Sequence, residues 1–125
     1  KMNTEEMKSY ALSVALSLPQ TNLSQPFSAD SDVVKVFDKI FMVAGHAHGQ
    51  GCITLKVDPV QGEMLKDTYS CIQGGYYMNK RHWISIYAGS EISADLIHDL
   101  IQDSYLLVAK TLNRVQKNQL NDSDK

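Results

Sequence analysis

Apolar side chains recur at helical spacing near both ends of the chain. Thr4 precedes two glutamates and an apolar stripe that stops at Pro19, which predicts a first helix capped by Thr4. The stripe consists of Met7, Tyr10, Ala11, Val14 and Leu18. A longer stripe after Ser93 predicts a final helix that is capped by this serine and packs against the core. Its apolar residues are Leu96, Ile97, Leu100, Ile101, Tyr105, Val108 and Leu112.

Between these helices the pattern changes to the two-residue alternation of β-strands. Residues 33–37, 40–44 and 52–57 are β-rich segments separated by short turns, and they predict an antiparallel meander. Residues 82–88 resume the alternation and predict a further strand. The residues expected to face the helices are Ile53, Leu55, Val57, Ile84 and Ile86. Their neighbours Cys52, Thr54 and Lys56 are expected to point towards solvent.

A short second helix is predicted between the third and fourth strands. Asp58 and Pro59 have the side chains of an N-cap and a first-turn proline, with Val60, Met64 and Leu65 as the buried side. Residues 20–32 are predicted as a loop and residues 70–79 as irregular chain. The resulting order is helix, three strands, helix, strand, helix. It predicts a two-layer α+β sandwich, with helices packed on one face of a mainly antiparallel sheet.

Length and composition predict one domain and limit its partners. We expect the 125-residue chain to form a single domain over residues 1–113, followed by a polar tail over residues 114–125 that frays. No apolar run is long enough to span a bilayer and the start is polar, so we expect a cytoplasmic monomer with no membrane contact. Cys52 and Cys71 are 19 positions apart and are predicted to be buried, unpaired thiols. The net charge of −2 means that any nucleic-acid contact must be local.

Catalytic and metal-binding signatures are absent from the sequence. It contains no dinucleotide fingerprint, phosphate-binding loop, zinc-protease motif, nucleophile elbow or calcium loop, and the prediction is a non-catalytic protein without a cofactor. His46 and His48 form an HxH pair that would place both imidazoles on one face of an extended segment. Since no third ligand has an evident spacing, a polar hairpin tip is the favoured interpretation and no metal site is predicted.

The most distinctive segment combines aromatic and cationic side chains within eight positions. Cations neutralise phosphates and flat rings stack on bases, so the segment has the residue types of a nucleic-acid surface. The alternative is that these residues have only structural roles, as a packed tryptophan, a core tyrosine and a solvated basic turn. The candidate nucleic-acid-binding residues are Tyr76, Tyr77, Asn79, Lys80, Arg81, His82 and Trp83.

The segment GYYMNKRHWISI, followed by LIHDLIQDSYLLVAKTL, resembles the C-terminal signature of the MmcQ/YjbR-like family of small bacterial proteins. Asn79, Lys80, His82 and Trp83 match the family pattern G-Y-x-M-N-K-x-H-W, while Arg81 occupies its variable position. Weaker similarity in ALSLP, PF and ITLKVDP extends the resemblance over residues 4 to 113. The resemblance implies a fold similar to the frataxin-like (CyaY-like) α+β sandwich. It also implies a DNA-binding role with a "double wing" motif.

Together, the residues and the resemblance predict a non-catalytic protein that binds DNA through residues 76–83. The alternative is a module that binds a protein or a small ligand through the same aromatic surface. A third interpretation is metal binding on the acidic edge of the first helix, where the sequence offers only Glu5 and Glu6.

Overall fold

The computed structural model describes residues 2–123 and contains four helices and six strands within that range. In chain order these are α1 (Thr4–Leu16), β1 (Thr21–Ser24), β2 (Asp32–Val36), β3 (Lys39–Ala47), β4 (Gln50–Lys56), α2 (Pro59–Thr68), β5 (Ile72–Gly74), β6 (Trp83–Tyr87), α3 (Ala94–Ala109) and α4 (Arg114–Ser123). The strands form one antiparallel sheet in the order β1-β2-β3-β4-β6-β5. The predicted α+β class is confirmed.

One face of the sheet is covered by the helices, and the predicted register of the central strands is confirmed. The row expected to face the helices is buried in the core, and it consists of Ile53, Leu55, Val57, Ile84 and Ile86. In the β4–β6 pairing, Ile53 lies opposite Ile86 and Leu55 lies opposite Ile84. Because side chains alternate between faces, a slip of one residue would turn this whole row away from the helices.

The N-cap of the first helix lies one residue earlier than predicted. Asn3 is the N-cap, and its side-chain oxygen accepts a hydrogen bond from the Glu6 backbone N–H at 2.8 Å. The Glu6 carboxylate accepts one in return from the Asn3 N–H at 3.0 Å. The prediction of Thr4 as the cap is wrong, because this reciprocal pair satisfies two free N–H groups.

The second helix has the predicted cap but a different buried side. The Asp58 carboxylate accepts hydrogen bonds from the next two free backbone N–H groups at 3.1 and 3.2 Å. Leu65 is buried as predicted, whereas Val60 and Met64 are exposed. The helix packs through Gly62, where an added Cβ would lie 3.0 Å from a valine side chain. The absence of a side chain at Gly62 therefore decides which side of α2 approaches the sheet.

Three elements differ from the sequence prediction. The predicted loop over residues 20–32 contains β1, the predicted irregular chain over residues 70–79 contains β5, and the predicted polar tail forms α4 up to residue 123. Both strands are short edge strands, and each is held by hydrogen bonds to the next strand in the chain, β2 or β6. In α4, Leu120 packs against the core. The fraying expected for residues 124–125 lies outside the described residues.

The serine and tyrosine near the centre of α3 join this helix to other elements. The buried Ser104 hydroxyl donates a hydrogen bond to the Phe41 carbonyl at 2.6 Å and accepts one from the Lys56 N–H at 2.9 Å. The Tyr105 hydroxyl donates to the Pro19 carbonyl at 2.7 Å. Its ring meets the Phe41 ring edge to face, with centroids 5.3 Å apart. Ser104 and Tyr105, which lie in the segment LIHDLIQDSYLLVAKTL of the family resemblance, therefore have a structural role.

A tight hairpin connects β3 to β4. Ala47 pairs with Gln50, and the two residues between them, His48 and Gly49, have φ angles of 55° and 76°. Left-handed backbone at both positions is characteristic of a type I′ turn, whose twist matches that of the strands it joins. The hairpin extends both strands into the segment that the sequence predicts as a turn.

Candidate binding hollow on the open face of the sheet

The sheet face opposite the helices forms the floor of a hollow. Its floor residues come from β3 and β4, where Val43 lies opposite Thr54 and Gly45 lies opposite Cys52. Gly45 is buried, and a Cβ there would lie 3.2 Å from the Ser31 hydroxyl. The lack of a side chain at Gly45 therefore lets Ser31 of the β1–β2 loop approach the sheet closely.

Two loops form the walls of the hollow, which encloses about 700 Å³. The β1–β2 loop contributes residues 27, 28, 30 and 31, and the β5–β6 loop contributes residues 76 to 78. Two aromatic side chains on these walls are strongly exposed: Phe27 at 71% and Tyr77 at 89%. Large rings left in solvent on two facing loops form an apolar surface that the core does not use.

The motif that carries the family resemblance, residues 75–83 of the β5–β6 loop, mainly shapes the loop itself. The Asn79 side-chain oxygen accepts hydrogen bonds from the backbone N–H groups of residues 81 and 82 at 2.9 and 3.3 Å. The Lys80 ammonium donates to the Gly75 carbonyl at 3.1 Å, and the Gly75 N–H donates to the Trp83 carbonyl at 2.9 Å. The His82 carbonyl accepts from residue 57 at 2.9 Å. These contacts fold the loop back over the sheet.

Gly75 also explains why the loop can lie so close to β6. A Cβ at this buried position would come within 2.7 Å of the Trp83 side chain. Any other residue would therefore push the loop away from the strand.

The seven residues predicted to bind nucleic acid divide into three groups in the structure. Tyr76 and Tyr77 line the hollow. Arg81 and His82 are exposed on the loop but do not line the hollow. The remaining three are the loop-shaping Asn79 and Lys80 and the half-buried Trp83.

The aromatic side chains beside the hollow contact one another. The Tyr76 and Tyr77 ring centroids are 4.1 Å apart with the planes inclined at 45°, and the His48 ring lies 4.7 Å from Tyr76 on its other side. Tyr77 has a φ of 63°. For a large side chain this left-handed conformation is unfavourable, so the fold holds an exposed ring in a strained position.

A buried polar row lies beneath the β5–β6 loop. The Ser85 hydroxyl accepts a hydrogen bond from the Tyr76 N–H at 3.2 Å and shares another with the Thr54 hydroxyl at 2.8 Å. Burial raises the pKa of the neighbouring Cys52 thiol. Burial, followed by the nearby Cys52, also raises the pKa of Tyr87.

The expectation that Cys52 and Thr54 point into solvent is wrong. They lie on the sheet face opposite the helices, as the alternation predicts, but only 3% and 5% of their surface is exposed. The β5–β6 loop covers this part of the sheet. Cys52 and Cys71 are both free thiols; Cys52 is buried and Cys71 is half-buried.

The two histidines of the HxH pair have different surroundings. His46 lines the hollow, while His48 occupies the left-handed turn position and contacts Tyr76. Among residues 2–123, no three His, Cys, Asp or Glu side chains form a group that could hold a metal ion. Across the same residues, no helix has the length and apolar character needed to cross a membrane.

Several residues of the hollow were not candidates in the sequence analysis. Phe27 and Gly45 lie in segments that the sequence predicts as a loop and as a turn, and Val43 lies in a predicted strand of the meander. The sequence contains one signal for this hollow. A glycine beside a β-rich segment marks either a bulge or the close approach of another part of the chain. Only the register shows that this glycine faces the loop containing Phe27.

The fold and this site define a small α+β protein with helices on one face of an antiparallel sheet and a loop-bounded hollow on the other. The YjbR family model matches residues 16–107, and the chain belongs to the YjbR family. It is 42% identical over 111 residues to the uncharacterized protein YbdF of Escherichia coli O157:H7, covering 89% of this chain and 91% of that protein. It is 26% identical over 72 residues to the uncharacterized protein YjbR of Escherichia coli K12, covering 58% and 61% of the two chains. The family predicted from the sequence is confirmed.

Solved structures show the same architecture. The crystal structure of Deinococcus radiodurans protein DR2400, with a DUF419 domain, matches with a TM-score of 0.78 and 28% identity, covering 95% of this chain and 88% of that one. A Pseudomonas syringae protein matches with a TM-score of 0.66 and 27% identity, covering 86% and 99%.

Proposed function

We propose that this protein is a non-catalytic binding protein whose hollow takes a small molecule with a flat, apolar ring. The observation that carries the proposal is the pair of exposed aromatic side chains, Phe27 and Tyr77, on the two walls of a hollow of about 700 Å³. Sites for small molecules have volumes of about 300–1,000 Å³ and combine apolar walls with a few polar groups. Ser28, Ser31 and His46, which line the hollow and are less buried than its floor, supply such groups.

The strain at Tyr77 supports the same function. The Tyr77 backbone is left-handed, and its side chain, which is 89% exposed, gains too little packing in the folded protein to offset that strain. Unfavourable backbone geometry is concentrated at ligand-binding positions, where it orients a side chain in advance. The ring would recover contact area when a flat ligand lies against it.

The test is an NMR titration of the isotope-labelled protein with 1-naphthalenemethanol, an uncharged two-ring probe. We expect saturable shifts of backbone amides around Gly45, Cys52 and Tyr76. The variant Val43→Trp places a large ring on the floor of the hollow and should weaken binding at least about ten-fold, equivalent to about 1.4 kcal/mol. Leu106→Trp is the matched control, because Leu106 is an exposed residue on α3. Shifts that do not saturate, or that persist in Val43→Trp, would contradict the proposal.

Tyr77→Asn tests the ring without changing the backbone. Asparagine adopts left-handed φ angles more readily than tyrosine, so relief of strain offsets the lost ring contact with Tyr76. We expect the free energy of unfolding to change by less than about 1 kcal/mol. Probe affinity should fall several-fold in the same variant. Unchanged affinity would remove Tyr77 from the site.

The second candidate function is nucleic-acid binding by the outer side of the same loop. It is favoured by the exposed Arg81 and His82 close to the exposed Tyr77 ring. The net charge of −2 and the engagement of the Lys80 ammonium with the Gly75 carbonyl weigh against it. Lys80 is therefore a poor probe of phosphate binding, since its loss would also disturb the loop.

Fluorescence anisotropy with labelled DNA at several salt concentrations distinguishes the two functions. If DNA binds, Arg81→Ala should weaken it for all sequences and make the log-log salt dependence shallower by about one unit. Tyr77→Asn should leave that slope unchanged and cost about 1–3 kcal/mol if the ring stacks on a base. Absence of binding at about 50 mM salt would rule out this second candidate.

A further inference from the structure

We propose that the hollow selects a flat ring that is cationic or uncharged and excludes one that bears a carboxylate or phosphate. This inference rests on the proposed function and names the class of ligand for the same site. It follows from the charges around the hollow, which are arranged asymmetrically.

Asp30 is the one aspartate, glutamate, lysine or arginine among the described residues that line the hollow. It is exposed on the β1–β2 loop and forms no ion pair with another described residue. The neighbouring Asp32 carboxylate instead accepts a hydrogen bond from the Gln25 amide at 2.8 Å, and the same amide donates to the Ala29 carbonyl at 3.2 Å. These contacts tie the loop together and leave the Asp30 carboxylate available at the rim.

The nearby cations do not counter this charge. No described lysine or arginine lines the hollow, and the Lys80 ammonium donates to the Gly75 carbonyl within its own loop. An anion placed in the hollow would therefore lose water without gaining a cationic partner. A cation would meet the Asp30 carboxylate and the face of an exposed tyrosine ring, both of which attract positive charge.

The experiment compares three probes that share one ring system and differ in charge: 1-naphthylmethylammonium, 1-naphthalenemethanol and 1-naphthoate. Affinities are measured by the same NMR titration at low ionic strength and at about pH 8, where an amine and a carboxylic acid probe are both charged. We expect the ammonium probe to bind at least as tightly as the alcohol. The carboxylate should bind at least about ten-fold more weakly than the ammonium.

Asp30→Asn isolates the rim charge. Since an exposed charge pair contributes about 0.2–1 kcal/mol, this variant should weaken binding of the ammonium probe by up to about five-fold and leave the alcohol within about two-fold. Asp103→Asn is the control, because Asp103 is an exposed carboxylate on α3, which packs on the opposite face of the sheet.

The outcomes separate this inference from the proposed function. If no probe binds, or if binding survives Val43→Trp, the proposed function itself fails. If the alcohol binds in the hollow but 1-naphthoate binds as well as the ammonium, the proposed function stands and the charge selectivity is wrong. Equal effects of Asp30→Asn and Asp103→Asn would also overturn the role of Asp30.

Discussion

The Ser104 hydroxyl satisfies two backbone groups at once, one on β3 and one on β4. Ser104→Ala would leave the Phe41 carbonyl and the Lys56 N–H without this partner in a part of the molecule where the serine is fully buried. An unsatisfied buried polar group costs about 1–3 kcal/mol. We expect the free energy of unfolding, measured with urea, to fall by about this amount.

The matched control for Ser104 is Ser13→Ala on α1. Its hydroxyl donates to the Tyr10 carbonyl at 2.7 Å but is exposed, so water replaces the bond. We expect a change within about 0.5 kcal/mol. Equal losses in the two variants would mean that the Ser104 bridge contributes nothing specific.

The pKa of the buried Cys52 thiol gives a pH dependence that can be checked at the residue scale. Burial raises its pKa above the ordinary value of 9.0, so the folded protein holds the proton at a pH where the unfolded chain releases it. The folded state then binds more protons, and stability falls as pH rises above about 9. Tyr87 has a pKa raised from 10.0 and contributes in the same direction at higher pH.

The measurement is urea unfolding at about pH 7.5 and about pH 10. We expect the wild type to lose stability between these values, and Cys52→Ser to lose less, because serine does not titrate. Comparing the change with pH within each protein removes the effect of the substitution on packing. The same loss in both proteins would show that Cys52 does not cause it.

At the scale of elements, the β3–β4 hairpin depends on two left-handed residues. A Cβ at Gly49 would meet nothing within 4 Å, so any cost of Gly49→Ala arises from the backbone at a φ of 76°. We expect a loss of about 1–2 kcal/mol in the free energy of unfolding. Gln50→Ala, one position later in an exposed part of β4, should change stability by less than about 0.5 kcal/mol. A neutral Gly49→Ala would show that the turn adopts another type.

At the scale of the whole molecule, one sheet has two different faces. The helix side is filled with aliphatic side chains and provides the core. The other side is covered by the β5–β6 loop and the β1–β2 loop, and the hollow lies between them. The core and the proposed binding hollow thus lie on opposite faces, so substitutions such as Val43→Trp should alter the hollow with little effect on the core.

The sequence by itself determined the helix-facing register, the α+β class, the caps of α2 and α3 and the family. Periodicity carries the register and the class, because strand alternation and helical spacing each bury one apolar face. The family comes from the resemblance carried by GYYMNKRHWISI and LIHDLIQDSYLLVAKTL. The sequence also shows that Tyr76 and Tyr77 belong to the distinctive segment of aromatic and cationic residues, 76–83. The sequence did not predict β1 and β5, because strands of three or four residues are too short to show an alternating pattern and form only by pairing with the next strand.

Only the tertiary structure decided which residues of the distinctive segment line the hollow and which shape the loop. Asn79 and Lys80 have the chemistry of ligand contacts, yet both bond within their own loop. The hollow requires Phe27, Gly45 and Tyr77 to meet, and 50 positions of chain separate the first from the last. No local pattern encodes such a meeting, because it depends on the strand register and on the folding of two loops over the same sheet face.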